Sequence, residues 1–316
     1  MASRFAIAIR LAWQNNGFDI VGALPGSIFQ TEDCRMVKIF TDSVADLGKE
    51  LTSQRNIQVI PLLVYSNGKT YHDGVDITLE GLYADVQVSG QLPKTSAPSL
   101  TDFLQAFDQP EEILYIGLSS KLSATWQNAT QARAMLPNRH IHLVNSLNLS
   151  TGLGLLALKA ADLRDAGLDG TAIAAQVTTM IPQVRTSFVI ETLEYLYKGG
   201  RCSALQNIVG ALLHIRPVIA MRTDGTLGIK NKIRGSRSKA LQSMIDDFCQ
   251  QLPQVDLEHV FITHTGCDED AQYLREELMR HAPIQQVNIT LAGSVVASHC
   301  GPDTIGIIYR AINTEA

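Results

Sequence analysis

Residues 92–125 read LPKTSAPSLTDFLQAFDQPEEILYIGLSSKLSAT, and they indicate the fold class. Its apolar run Ile113–Leu118 has the length of a buried strand, and small polar residues follow it before a helical pattern begins. In α/β folds, ligands bind beyond the carboxyl ends of such strands, where a helix N-terminus attracts anions. Hydroxyl residues flank the strand on both sides: Thr95, Ser96 and Ser99 before it, and Ser119, Ser120, Ser123 and Thr125 after it. The stretch therefore predicts a pocket for a small anionic group.

The neighbouring segments alternate strands with helices. Predicted strands cover 37–40, 57–65 and 141–144, and predicted helices cover 47–56, 124–136 and 149–166. The polar triplet Thr41-Asp42-Ser43 closes the first strand, Asp46 is expected to cap the helix after it, and Asn67-Gly68 predicts a hairpin turn. Thr78 is expected to begin a short helix that ends near Gly90. This alternation indicates a parallel sheet with crossover helices.

The second half of the chain has a more mixed order. It predicts strands at 186–191, 259–264, 285–290 and 304–310, a hairpin over 215–233 turning at Asp224-Gly225, and helices at 236–251 and 268–281. We therefore expect two α/β domains. The first covers 36–180, with a mostly parallel sheet and a hairpin insertion at about 57–77, and the second covers 181–316. Residues 1–35 show no sustained period, and we expect them to be an extension outside the fold.

Composition excludes several classes of protein. The net charge of −5 and the lack of a Lys/Arg-rich run argue against a nucleic-acid partner. The five cysteines are scattered without a CxxC, and no HExxH spacing occurs, so neither a disulfide framework nor a metal site is predicted. No apolar run reaches the roughly 18 residues of a membrane helix, and Arg10 interrupts the apolar N-terminus. We expect a cytoplasmic protein without an integral membrane segment.

A serine hydrolase is the enzymatic alternative. Gly117-Leu118-Ser119-Ser120-Lys121 begins like a nucleophile elbow but has Lys121 in place of the second glycine. Ser-x-x-Lys occurs at Ser66/Lys69 and Ser236/Lys239, a spacing expected by chance in a chain with this many serines and lysines. His264 and His299 are candidate bases, although no spacing connects either of them to a serine. The turn Lys198-Gly199-Gly200-Arg201 fits either a phosphate-binding turn or a plain helix end.

Six short motifs, taken in order, resemble the DegV family of bacterial fatty-acid-binding proteins from Val37 to about Asn313. They are Thr41-Asp42-Ser43-x-Ala45-Asp46, Pro93-Lys94-Thr95-Ser96-x-Pro98-Ser99, Ser119-Ser120-Lys121-Leu122-Ser123-x-Thr125, Leu196-x-Lys198-Gly199-Gly200-Arg201-x-Ser203, Arg234-Gly235 and His299-x-Gly301-Pro302. The chain departs from the usual family pattern at Ala97, Ala124, Cys300 and Asp303. Each motif is weak alone, whereas their order over most of the chain is specific.

The resemblance implies two α/β domains that hold a long-chain fatty acid in an apolar tunnel between them. It implies that Thr95 and Ser123 bind the carboxylate, with Ser96 and His299 close by. It also implies a carrier with neither a cofactor nor catalytic activity of its own, which presents the fatty acid to a separate ATP-dependent fatty acid kinase. Candidate contacts for the kinase or its phosphate are Lys198, Arg201 and Arg234.

Overall fold

The apolar run Ile113–Gly117 is an inner strand of a four-stranded parallel sheet in the computed structural model, which describes residues 37–201 and 215–312. All five of its residues are buried. A strand covered on both faces needs a continuous apolar sequence, and this run provides one. The prediction for residues 1–35 lies outside the described residues, as does Ser203 of the fourth motif.

In chain order, the described strands are β1 Lys38–Asp42, β2 Ile57–Ile60, β3 Leu63–Ser66, β4 Lys69–His72, β5 Lys94–Ser96, β6 Ile113–Gly117, β7 Ile141–Asn145, β8 Val184–Val189, β9 Ile215–Met221, β10 Leu227–Arg234, β11 His259–His264, β12 Gln286–Leu291 and β13 Ile305–Arg310. The described α-helices are α1 Gly48–Gln54, α2 Leu79–Ser89, α3 Leu100–Phe107, α4 Thr125–Met135, α5 Thr151–Asp165, α6 Gly170–Met180, α7 Glu194–Lys198, α8 Arg237–Gln251, α9 Asp268–His281 and α10 Ser294–Cys300. Thr78 and Gly90 cap α2 at its two ends, as predicted.

The first sheet has the strand order β2-β1-β6-β7, and all of its pairs are parallel. Helices α3 and α4 cover one face, where Phe103 and Phe107 pack around Tyr115 with ring centroids 5.4 and 5.7 Å from it. At the carboxyl end of β1, the Thr41 hydroxyl donates to the carbonyl of Ile116 at 2.9 Å. The predicted parallel sheet with crossover helices is confirmed.

The segment 57–65 was expected to be one strand, and this prediction was wrong. It breaks at Pro61 and Leu62 into β2, in the parallel sheet, and β3, in a small antiparallel sheet of order β4-β3-β5. Proline has no N–H to donate to a ladder, and the N–H of Leu62 donates to the Ser43 hydroxyl at 3.0 Å instead. The predicted hairpin follows, with positive φ at Asn67 and Gly68.

The second sheet is mixed, with the order β10-β9-β8-β13-β11-β12. Its β9–β10 hairpin turns at Asp224-Gly225 as predicted, because Gly225 accepts a φ of 84° and the Asp224 carboxylate receives the N–H and hydroxyl of Thr226. Helices α8 and α9 cover one face through side chains such as Phe248 and Leu274. The strands of this sheet all follow residue 181, and those of the first sheet all precede it. The domain limits at 36, 180 and 316 stay a prediction.

Helix α5 lies between the two sheets. It contacts β1 and β6 of the first sheet and β8, β11 and β13 of the second. Every residue from Thr151 to Ala161 is buried, including Lys159, because each side of the helix meets a sheet. A helix that is apolar all round is the pattern expected for this position. One core cluster around α5 therefore includes buried residues of both sheets.

One local prediction near the site was also wrong, and one helix there was not predicted. Asp46 does not cap α1; it lies in the left-handed region with a φ of 50°, and its carboxylate receives the N–H of Gly293 at 2.8 Å. Residues 294–300, for which the sequence predicted no helix or strand, form α10. Propensity does not favour a helix with Val295 and Val296 in sequence. Asp46 and Asp73 overcome this by accepting backbone N–H groups at its start.

Candidate functional site

A cavity of about 560 Å³, including its open mouth, lies where both halves of the chain meet. Its apolar wall includes Leu62, Leu118, Leu122, Leu149, Leu227 and Val296. Its polar lining consists of Thr95, Ser96, Ser123, Arg201 and His299. A mostly apolar wall with a few polar groups is typical of small-molecule sites. The structure thus brings together the four residues that the sequence predicted for carboxylate binding.

Thr95 and His299 form the central contact of the polar lining. Thr95 lies on β5, which pairs with β3 through Val64, and His299 lies on α10. Thr95 Oγ1 and His299 Nε2 are 2.8 Å apart although the residues are 204 positions apart in the chain. When the imidazole carries its proton on Nε2, it donates to Thr95 Oγ1. The hydroxyl hydrogen of Thr95 is then available to an acceptor in the cavity.

His299 is held in the neutral form. Burial, helped by the positive charge of Arg201, lowers the pKa of His299 to about 4. Its Nδ1 is buried and has no hydrogen-bond partner among the described residues. Gly199 faces this atom, and a Cβ at that position would overlap with it. A neutral imidazole in this place orients Thr95 without adding a second positive charge beside Arg201.

Ser123 lies two residues before the start of α4 and also lines the cavity. Its Oγ lies 2.8 Å from Thr125 Oγ1 and accepts the N–H of Thr125 at 3.2 Å. The Ser96 hydroxyl is half-exposed and lies 3.3 Å from Tyr65 Oη, which is a longer contact than that of Ser123 with Thr125. Both side chains line the cavity, and each hydroxyl can donate one hydrogen bond to a ligand.

The three predicted cation contacts separate in the structure. Arg201 lines the cavity and donates to the carbonyls of Gly199 at 2.7 Å and Leu122 at 3.3 Å. Lys198 is exposed and pairs with Glu194 at 2.6 Å, and Arg234 lies at the exposed end of β10. Neither Lys198 nor Arg234 lines the cavity. Only Arg201 is therefore close enough to influence the polar lining directly.

A second cavity of about 350 Å³ adjoins the first, and the sequence offered no signal for it. The two cavities share the wall residues Leu149, Val296 and Cys300. Phe188 and Ile308 of the second sheet line its far part. These residues come from three distant segments that only the packing around α5 brings together. Burial raises the pKa of the Cys300 thiol to about 12, so this shared wall is uncharged at neutral pH.

Other polar groups of the sequence motifs have structural partners. Ser99 caps α3 in a reciprocal capping box with Asp102. The Ser119 hydroxyl donates to the carbonyl of Gly225 at 2.7 Å, which ties the end of β6 to the β9–β10 turn. Asp42 receives the N–H of Leu118 and the hydroxyl of Tyr115. These contacts hold strand ends and turns in place and do not line the cavity.

Among the described residues, the geometry does not assemble a nucleophile for the hydrolase alternative. His299 Nε2 faces Thr95, and His264 Nδ1 accepts the backbone N–H groups of Gly266 and Cys267. Neither histidine is hydrogen-bonded to a serine hydroxyl within residues 37–201 and 215–312. Within the same ranges no three His, Cys, Asp or Glu residues are grouped to hold a metal ion, and no helix has the length and apolarity to cross a membrane.

The fold and cavity define an α/β protein with a largely apolar ligand site lined from both halves of the chain. A family model described as "Uncharacterised protein, DegV family" matches residues 36–311. The chain belongs to the DegV family, as its motifs predicted. A DegV domain-containing protein of Caldanaerobacter subterraneus subsp. tengcongensis is 32% identical over 285 residues, which cover 87% of this chain and 98% of that protein.

Solved structures agree with this assignment. A DegV family protein from Thermus thermophilus, described for its fatty acid binding, has a TM-score of 0.81 and 27% identity, covering 88% of this chain and all of its own. DegV from Bacillus subtilis, described as a fatty acid binding protein, has a TM-score of 0.79 and 26% identity, covering 88% of this chain and 99% of its own. The predicted combination of a parallel and a mixed sheet is confirmed as the fold of this family.

Proposed function

We propose that this chain binds a long-chain fatty acid such as hexadecanoate. One observation carries the proposal: the Thr95, Ser123, Ser96 and His299 side chains line an apolar cavity that adjoins a second apolar cavity. The carboxylate would bind at Thr95 and Ser123, and the acyl chain would pass Leu149 and Val296 into the second cavity. Relatives from Thermus thermophilus and Bacillus subtilis are described as fatty acid binding, which supports this choice of ligand.

The energetics favour this division of roles. Each buried methylene contributes about 0.8 kcal/mol, so the apolar walls supply most of the affinity. The carboxylate must not be buried without partners, and donor hydroxyls at Thr95, Ser96 and Ser123 meet that need. Arg201 donates from Nε and Nη1 to two backbone carbonyls, so we expect it to act as a nearby charge and not as a bidentate clamp on the carboxylate. The anion would thus remain accessible for a later reaction.

We also propose a carrier role in the cytoplasm. The fatty acid would be presented at the cavity mouth to a separate ATP-dependent fatty acid kinase, which would supply the catalytic groups. Lys198 and Arg234 are exposed, and Arg201 lines the cavity. Positive side chains at the surface would favour a partner that handles phosphate. In the presence of such a kinase, Arg234→Ala should slow acyl phosphate formation while fatty acid occupancy stays unchanged.

Mass spectrometry tests the proposed ligand. Denatured protein should release a noncovalent fatty acid of roughly 14–18 carbons, since burial of about that many methylenes gives useful affinity. Thr95→Val combined with Ser123→Ala should lower occupancy in refolded, delipidated protein. Ser120→Ala is a matched control, because Ser120 is in the same turn but its hydroxyl accepts from Asn145 and does not line the cavity. Equal occupancy in all three proteins would refute the proposed carboxylate site.

A fluorophosphonate probe tests the carrier role against the hydrolase. We expect no labelling of Ser119 or Ser123, because Ser119 donates to Gly225 and Ser123 contacts Thr125. Stoichiometric labelling of either serine would favour a hydrolase that acts on a lipid or ester substrate.

A further inference from the structure

The second sheet ends at β12, which pairs with β11 alone among the described strands. Along its outer edge, the backbone N–H and C=O groups therefore have no partner strand within the described part of the chain. Open edges readily pair with another chain, and proteins commonly protect them with charges, prolines or bulges. The presence or absence of such protection on β12 indicates whether this edge stays open.

The opposite edge of the same sheet, β10, is protected in this way. Lys230, Lys232 and Arg234 are exposed along it, and a register shift interrupts its pairing with β9. Strand β12 differs in each respect. Its sequence QVNITL contains no charge and no proline, its register with β11 is continuous, and no Asp, Glu, Lys or Arg occurs from 282 to 300. The β12 edge is therefore both unprotected and uncharged.

The backbone hydrogen bonds show which residues of β12 face outward. The N–H of Gln286 donates to the carbonyl of Glu258 at 3.1 Å, and the N–H of Ala292 donates to the carbonyl of His264 at 2.8 Å. Both acceptors belong to the β11 side, and successive residues of a strand direct their backbone groups to opposite sides. The even-numbered residues of β12 thus bond to β11. The outward-facing residues are the odd-numbered ones, Val287, Ile289 and Leu291.

The side chains of these outward-facing residues are all aliphatic. Val287 and Ile289 are partly buried against the core cluster under α8 and α9. Leu291, at the end of the strand, is 50% exposed, and Val75, which lines the same surface cleft, is 66% exposed. Exposed apolar side chains beside an open edge are typical of a protein–protein contact.

An antiparallel copy of β12 fits this edge residue by residue. In an antiparallel pair, residues that face each other through their backbone groups exchange both hydrogen bonds. When Ile289 lies opposite the partner's Ile289, Val287 faces the partner's Leu291, and every outward-facing residue of the strand is paired. A register shifted by two residues leaves an outward-facing residue of each copy unpaired. The favoured register has a two-fold axis at Ile289, as in most homodimers.

Electrostatics also favour this edge as the contact between copies. The net charge of −5 makes two copies repel each other in general. The uncharged segment 282–300 can meet its own copy without placing like charges opposite each other. Pairing at the β10 edge would instead bring Lys230, Lys232 and Arg234 close to the same cations of a second copy, which is unfavourable.

We propose that two copies of this chain associate by antiparallel pairing of β12, with Ile289 at the two-fold axis, so that the second sheet continues from one copy into the other. Strand pairing buries less surface than an obligate dimer interface does, so the dimer is reversible and depends on protein concentration. No residue of β12 lines either apolar cavity, and association therefore leaves the lipid site unobstructed.

Sedimentation equilibrium of the full chain tests the association, and charge substitutions at the axis test its geometry. The mean mass of the wild-type chain should rise from monomer toward dimer with concentration. Ile289→Lys places like charges opposite each other and should weaken dimerisation at least about tenfold, and Ile289→Glu should do the same. An equal mixture of the two variants should recover the dimer, because opposite charges then meet at the axis. Thr70→Lys adds the same charge to exposed edge strand β4 and should leave dimerisation unchanged.

Amide hydrogen exchange measured by NMR shows which edge forms the contact. The N–H groups of Val287, Ile289 and Leu291 should become protected as the protein concentration rises. Those of Asn288 and Thr290 should be protected at every concentration, because they bond to β11. A destabilised fold would not produce this alternation.

Three results would overturn the proposal. They are a wild-type chain that stays monomeric up to about 1 mM, a dimer whose outward-facing amides stay unprotected, and a mixture of folded Ile289→Lys and Ile289→Glu chains that does not dimerise. If the Ile289 variants do not fold, Leu291→Lys carries the charge test, because Leu291 is half exposed. It should weaken dimerisation at least about tenfold, and an unchanged dimer would likewise overturn the proposal.

Discussion

Thr95→Val removes one hydroxyl from the polar lining and keeps the shape of the side chain. In the bound state the carboxylate would lose a hydrogen bond to a charged acceptor, worth about 1.5–3 kcal/mol. That loss corresponds to a decrease in affinity of about 10- to 150-fold. In the free protein, His299 Nε2 loses its 2.8 Å partner while Nδ1 already has none among the described residues. We therefore also expect the free energy of unfolding to fall by about 1–3 kcal/mol.

The assay is titration of delipidated protein with hexadecanoate and with its methyl ester. The substitution should weaken binding of the acid more than binding of the ester, because only the acid places an anion at Thr95. Thr130→Val is a matched control, since the Thr130 hydroxyl is exposed and donates to the carbonyl of Trp126 within α4. Equal losses for acid and ester, or an unchanged affinity for the acid, would refute the assignment of Thr95 as a carboxylate ligand.

Three further predictions concern the neighbours of the site. Gly199→Ala should lower fatty acid affinity at least about tenfold, because the Cβ of the new alanine would overlap with His299 and disturb the charge-assisted hydrogen bond from Thr95 to the carboxylate. Gly81→Ala is the control, since the nearest contact of its Cβ is 3.5 Å away, and its affinity should be unchanged. Titration of both variants with a fatty acid checks this prediction. Burial raises the pKa of Asp46 from 3.8 to about 8, so the folded chain keeps a proton that the unfolded chain releases, and stability falls as pH rises between those values. Asp46→Asn should remove this pH dependence, which amounts to at most about 1.4 kcal/mol of unfolding free energy per pH unit. Urea unfolding at pH 5 and pH 8 measures it. The same loss of stability between the two pH values in the variant as in the wild type would contradict the prediction. Ala292→Leu should fill part of the second cavity and shift the bound acyl chains toward shorter lengths, and an unchanged chain distribution by mass spectrometry would show that the chain does not enter there.

Local sequence patterns predicted the hairpin turns and the caps of α2. The hairpin turns at Asn67-Gly68 and Asp224-Gly225 and the caps at Thr78 and Gly90 all appear as predicted. These motifs depend on backbone conformations that few residues adopt, so neighbouring residues suffice to specify them. The break at Pro61 was misassigned because a strand pattern continues on both sides of it. Only the partner strands show that the two parts belong to different sheets.

Helix α10, in contrast, could not be predicted from local sequence patterns. Its seven residues include two β-branched valines, and local propensity favours an extended segment. The helix is held by acceptors on Asp46 and Asp73, more than 200 positions away, and by packing against α7, β3 and β5. Tertiary contacts override propensity here, and they carry His299 to the cavity. No pattern within the segment reveals those partners.

The sequence was enough to predict the α/β class and the positions of the turns, and its resemblance to a family indicated Thr95, Ser96, Ser123 and His299 as the residues of the carboxylate site. It could do so because periodicity and turn chemistry act over a few residues, and ordered motifs identify a family. Three features are visible only in the folded chain: the contact of Thr95 with His299, the hydrogen bonds of Arg201 to backbone carbonyls, and the second cavity beside the first. Those features depend on the burial of α5 between two sheets, and a contact between segments 200 residues apart has no local signature.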